Sequence, residues 1–238
     1  IAPPLALLAE LTHRCPMRCV YCSNPLQLEP ARAELSSETW RRVLDEAADL
    51  GILQVHFSGG EPLVRDDLVR LVGHAAGRGL YGNLITSGIL LDAERARRLA
   101  DAGLEHVQIS VQDVDREAAE RIGGLEGAYE QKKRAAAWVK DAGLALTLNT
   151  VIHRHNCGRL EELIALAVEL GAGRLEVAHV QYYGWGLANR AALIPTRTQL
   201  EETTRLVEAA RPRLAGGLVI DHVVPDYYAR LPTACRGG

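Results

Sequence analysis

Cysteine is scarce in this chain and unevenly spread. Only five occur in 238 residues: three crowd between positions 15 and 22, while Cys157 and Cys235 stand far away. That is no disulfide framework, so a reducing compartment, the cytoplasm, is expected. No apolar run approaches the ~20 residues of a membrane-spanning helix, and no basic-then-apolar leader opens the sequence. Charge of one sign is not in excess either. Lys and Arg number 27, Asp and Glu 30, for a net −3, which gives no reason to expect nucleic acid or an anionic membrane as main partner. No stretch rich in Gly, Pro or Ser divides the chain, and one domain is the simplest reading. No G-x-G-x-x-G follows the first apolar run, which argues against a dinucleotide-binding sheet. A starting methionine is also missing. The chain opens on Ile1 and stops at "TACRGG", so it is expected to be part of a longer protein.

What is present is a regular alternation. Apolar runs at 5–11, 52–57, 81–86, 106–111, 145–152 and 174–180 read as strands. Amphipathic stretches read as helices: one capped by Ser36 and stopped by Gly51, then 66–78, 92–102, 127–142, 159–170 and 197–211. In the first, Trp40, Val43, Leu44 and Ala47 recur at helical spacing. Six strand-then-helix units predict an α/β fold of parallel strands with right-handed crossovers, an open or partial (β/α)6 barrel, and residues 217–224 could add a last strand. Charged helix stretches such as "RRVLDE" and "QKKRAAA" read as solvated faces.

In such folds chemistry gathers at the C-terminal ends of the strands. The cysteine triplet follows the first strand, "SGGEP" (58–62) the second and "TSG" (86–88) the third. Ser110 and Gln112 close the fourth, Asn149 lies within the fifth, His153 to Asn156 follow it, and "QYYGWG" (181–186) follows the sixth. All are expected on one rim.

Cys15, Cys19 and Cys22 form C-x3-C-x2-C. Three thiolates fall one short of a closed zinc site and of a four-cysteine iron–sulfur cluster. A [4Fe–4S] cube held by three leaves one iron open to a small chelate with an amine and a carboxylate. The alternative is a zinc-stabilised binding module with His13 as fourth ligand. Gly59 and Gly60 suit close approach of backbone to a ligand, and Glu61 suits an ammonium group, although the same residues also suit a tight turn. Cys157, at a helix start, reads as structural. His13, His56, His153, His155 and His179 lie near the rim. Tyr182, Tyr183 and Trp185 line a peptide groove or pack the barrel end.

The triplet with aromatic Tyr21 before its last cysteine, followed by G-G-E-P after the next strand, resembles the radical S-adenosylmethionine (SAM) superfamily. "LAELTHRCPMRCVYCSNPL", "FSGGEPLVRDDL", "NLITSGI", "VQISVQ", "VIHRHN" and "QYYGWGLANR" narrow this to its SPASM-containing branch, the peptide cyclases of pyrroloquinoline quinone biosynthesis. The resemblance implies a partial barrel over residues 1–225 and the start of a truncated SPASM-like region at 226–238, where Cys235 matches the first cysteine for auxiliary iron–sulfur clusters. It implies a [4Fe–4S] cluster on Cys15, Cys19 and Cys22. SAM would lie against Tyr21, Ser58, Gly59, Gly60, Glu61, Ser87, Ser110, Gln112 and Asn149, although Gln112 stands where the family often has Asp. The implied reaction joins Glu and Tyr side chains of the precursor peptide PqqA, presented by the chaperone PqqD, with an electron donor such as a flavodoxin. The resemblance leaves open another radical SAM peptide maturase.

Overall fold

A computed structural model describes residues 4–223, and the segment 226–238 with Cys235 lies outside the described residues. Seven parallel strands form one sheet in chain order: β1 (Ala6–Glu10), β2 (Gln54–Ser58), β3 (Tyr81–Thr86), β4 (His106–Val111), β5 (Ala145–Ile152), β6 (Arg174–His179) and β7 (Val219–Val223). β1 and β7 are the two edges, so the sheet is a half-barrel rather than a closed ring. Crossover helices are α1 (Ser37–Asp49), α2 (Leu68–Gly77), α3 (Ala93–Asp101), α4 (Arg116–Gly123), α5 (Ala128–Asp141) and α6 (Leu160–Glu169). Two short helices, α7 (Gly184–Ala188) and α8 (Arg190–Leu193), precede α9 (Arg197–Arg213).

Local chemistry explains the boundaries. Ser36 accepts the Thr39 amide at 3.1 Å and starts α1, Asp92 accepts Arg95 N at 2.7 Å for α3, and Thr196 with Gln199 forms a capping box on α9. Helix α4 was not expected. Asp115 caps it through Ala118 N at 2.7 Å, and Gly124 ends it in the left-handed region. Helix α9 also runs past position 211 and carries Pro212 in its last turn.

The strands have two unlike faces. Val55 and Phe57, Leu84, Val107 and Ile109, Leu146 and Leu148, Leu175 and Val177 are all buried in the core under the helices. The alternate positions line the concave side, and the ladder aligns them: His56 beside Asn83 beside His106, and Ser110 beside Asn149 beside Glu176. A closed barrel fills its interior with branched apolar layers. This concavity is polar instead, and it opens towards the rim where the cysteine loop lies.

Candidate functional site

The cysteine loop continues from β1 and is braced on several sides. The β1–β2 ladder extends into it: Leu11 N donates to Ser58 O, Gly60 N to Thr12 O at 2.6 Å and Glu61 N to Arg14 O at 2.8 Å. A Cβ on Gly59, whose φ is +130°, would sit 2.4 Å from Thr12 O, and one on Gly60 2.5 Å from Arg14 O. The two glycines therefore let the turn after β2 lie against the cysteine loop's own backbone. From the α4 end, Gly123 O accepts Arg18 N and Ile122 O accepts Val20 N. From α7, Gly186 N donates to Cys22 O, while Asn189 Nδ2 donates to Val20 O at 2.9 Å. At the loop's start, Glu34 accepts from Thr12 Oγ1 and Arg14 Nε, and the Arg14 bond holds its carboxyl below the usual range.

On this loop Cys15 is exposed while Cys19 and Cys22 are half-buried. Burial pushes the Cys15 thiol up to about 11 and the Cys19 thiol up to about 12, and the neighbouring sulfurs of the loop add to both. Free thiolates at Cys15 and Cys19 are therefore disfavoured, and a nearby metal charge would stabilise them. Among the described residues no three His, Cys, Asp or Glu side chains form the shell of one metal ion. One tetrahedral ion with bonds of about 2.3 Å would need its sulfurs about 3.8 Å apart. A cluster that gives each thiolate its own iron takes a wider triangle, so three soft donors on one loop fit such a group. His13, the fourth ligand of the zinc alternative, uses Nδ1 to accept Glu29 N at 2.9 Å.

Glu61 differs from the expectation of a carboxylate open to a ligand. It is 0% exposed. Its Oε1 accepts Leu63 N (3.1 Å) and Thr86 Oγ1 (2.7 Å), and its Oε2 accepts Ser87 N (2.7 Å) and Ser87 Oγ. Four donors fill the four lone-pair sites of a carboxylate. The residue clamps the turn after β2 to the end of β3, and Ser87 is held in the same bond set.

The remaining expected residues divide. Ser110 and Asn149 stand side by side on the concave face, half-buried. Gln112 is buried and donates its Nε2 to Tyr21 Oη at 3.1 Å. Tyr21 also lies 6.0 Å, ring centre to ring centre, from His153. Asn156 is fully buried and structural: it donates to Gln112 O and Val151 O and accepts His153 N. Asp113, paired with Arg159, closes the same turn. His179 points to the helix side, against His222. Cys157 is buried. Tyr183, just before α7, and Trp185 on it are exposed, and Arg190 covers the Tyr182 ring at 5.4 Å.

The sequence reading missed Lys132. It sits in "QKKRAAA", taken for a solvated face, yet it is buried on the stripe Ala128, Lys132, Ala135, Ala136 and Val139 of α5. That spacing was the available signal. Its Nζ donates to Ser110 O at 2.6 Å and makes no ion pair among the described residues. Burial lowers its pKa to about 8 against the pull of Cys19, Glu61 and Cys15. A buried cation thus faces the cysteine loop and the Glu61 turn.

A half-barrel whose first loop carries three thiols, with a buried ammonium behind it, defines a class. Residues 9–167 match the family model of the Radical SAM superfamily, and the chain belongs to that superfamily. Along its whole length it is 60% identical to a "PqqA peptide cyclase" of Granulibacter bethesdensis, and 59% over 237 residues to one of Gluconobacter oxydans. It spans 64% and 66% of those relatives' lengths. The crystal structure of Streptococcus suis SuiB bound to S-adenosylmethionine has the same fold. Its TM-score is 0.80 at 19% identity, over 98% of this chain and 54% of that one.

Proposed function

We propose that the chain is the radical SAM part of a PqqA peptide cyclase (PqqE), joining Glu and Tyr side chains of the PqqA peptide by a carbon–carbon bond. The carrying observation is identity near 60% over all 238 residues with proteins of that name. The partners in this reading are the peptide, the chaperone PqqD and a flavodoxin-like electron donor. The setting is the cytoplasm, and auxiliary iron–sulfur clusters are held by a SPASM-like region that begins near Cys235.

Cys15, Cys19 and Cys22 would hold a [4Fe–4S] cluster. When bound, cluster and SAM supply a hydrogen-abstracting carbon radical through one-electron cleavage of the sulfonium. The chain's work is to bind, orient and exclude water. Lys132 offers a desolvated cation for the SAM carboxylate, and such charge-assisted contacts are the stronger ones. The Ser58 to Gly60 turn, braced by Glu61 and Ser87, faces the ammonium. Ser110 and Asn149 present hydrogen-bonding groups for the ribose. Tyr21, fixed by Gln112 and His153, orients the loop backbone that meets the adenine.

The test is mass analysis of PqqA after anaerobic incubation with the full-length enzyme, SAM and reductant. A loss of two hydrogens, with fragmentation locating a Glu–Tyr link, is expected. An unchanged peptide beside abundant 5′-deoxyadenosine would move the reading to another peptide maturase.

A further inference from the structure

The concave face beside and below the Ser110–Asn149 pair carries polar side chains that the cofactor site does not use. Gln108 Nε2 donates to Glu176 Oε2 at 3.1 Å. The Asn83 amide lies 2.9 Å from His56 Nδ1, and His106 Nε2 lies 2.7 Å from Thr147 Oγ1. Asn83 is 3% exposed, and its Oδ1 finds no partner among the described residues. Turning the amide over would only exchange which of its two polar atoms is unsatisfied. Interiors rarely leave such groups unpaired without a reason.

Glu176 stands out within this set. Register places it next to Asn149, itself next to Ser110, so it adjoins the residues offered to SAM. One carboxylate oxygen is fixed by Gln108, and the other meets no donor among the described residues. The group is half-buried on the concave side of the sheet. The His56 ring lies near enough for Glu176 to favour its protonated form, against burial. Arg174, on the same strand, is already paired with Asp221. An acceptor pinned on one side and free on the other is built to take one donor from a ligand.

We infer that Glu176, positioned by Gln108, binds the phenolic hydroxyl of the peptide's tyrosine inside the half-barrel. The inference rests on the PqqA reading. A phenol fits because it brings one O–H donor on a flat apolar ring. Ile85 and Val151 supply apolar surface on the same concave side. The contact would hold the ring edge in the same row as the residues offered to the ribose, one strand beyond Asn149.

The test measures binding of PqqA and of its Tyr→Phe form to the full-length, cluster-reconstituted enzyme, as wild type, Glu176→Gln and Gln108→Met. Charge-assisted hydrogen bonds of this kind are worth roughly tenfold to a hundredfold in affinity. Wild type should therefore prefer the Tyr peptide by that factor. Glu176→Gln should lose the preference while binding the Phe peptide as wild type does. Gln108→Met keeps the carboxylate but frees it, and should lose part of the preference. A purely structural role would weaken both peptides alike, and that result overturns the inference. So does a wild type that binds the two peptides equally. Failure of wild type to bind either peptide instead removes the PqqA reading, and the phenol with it. Deoxyadenosine formation without peptide, unchanged in both variants, shows that the SAM side is intact.

Discussion

Replacing Glu61 by Gln separates a brace from a ligand. The substitution keeps the shape and one acceptor oxygen. The other oxygen becomes an NH2, which must face either Leu63 N on the Oε1 side or Ser87 N on the Oε2 side. The hydroxyls of Thr86 and Ser87 can rotate to accept, but a backbone N–H cannot reverse. One buried donor is left opposed in either orientation, and the charge assistance of the other bonds is lost. An unsatisfied buried donor costs about 1–3 kcal/mol and the weakened bonds add to it, so the total is about 2–4 kcal/mol. With a urea slope near 3 kcal/mol per molar for a chain of this size, the midpoint should fall by about 1 M. The measurement is urea unfolding of both proteins without cluster or SAM, so no ligand contact contributes. Midpoints that agree within error would refute the clamp. Titration of SAM into the reconstituted proteins then reads the ligand side separately: a carboxylate whose acceptor sites are all taken by protein donors should leave the affinity within a few fold of wild type, and a fall of roughly tenfold or more would show a direct contact with the ammonium.

Three further outcomes follow from the same geometry. Gly59→Ala forces a Cβ to 2.4 Å from Thr12 O at a φ of +130°; it should cost about 2–4 kcal/mol and lower iron loading, and a melting curve and iron content matching wild type would contradict this. Asp113→Asn removes the buried charge opposite Arg159 and one of its two acceptor oxygens, and should destabilise by about 2–3 kcal/mol in denaturant unfolding, whereas a loss below ~0.5 kcal/mol would show the pair to be ornamental. His153 and His179 are buried neutral, their pKa values lowered by burial to about 4 from 6.5. Their contribution is complete above pH 6.5 and is lost as the unfolded chain takes up protons between 6.5 and about 4, at up to about 3 kcal/mol each. His179→Gln should flatten that slope in unfolding titrations, and an unchanged slope would remove His179 from the account.

Much of the fold was legible because each strand alternates faces. Val107 and Ile109 against Gln108 and Ser110 mark a strand with a covered side and an open side, and the bounds of β3, β4 and β5 were read to the residue. Helix α4 escaped because eight residues give barely two turns of periodicity, and only the Asp115 cap announces it. The cysteine loop was legible as a donor set, since spacing alone limits what three thiols can hold. The role of Glu61 was not, because its four donors come from the turn after β2 and from the distant end of β3. Lys132 was misread because a Lys–Lys–Arg run looks solvated unless its position on the alanine stripe is counted. Glu176 and Gln108 lie 68 residues apart, and only strand register brings them together.

The central claim is that the loop carrying Cys15, Cys19 and Cys22 forms a SAM-cleaving site. It is tested most directly by the yield of 5′-deoxyadenosine from reconstituted wild type and Cys19→Ala, with SAM and reductant under anaerobic conditions. The loop sits at the surface end of β1, apart from the core beneath the helices, so the variant should remain folded. The account predicts deoxyadenosine from wild type and none from the variant at equal helical content. Equal yields from the two proteins would contradict it.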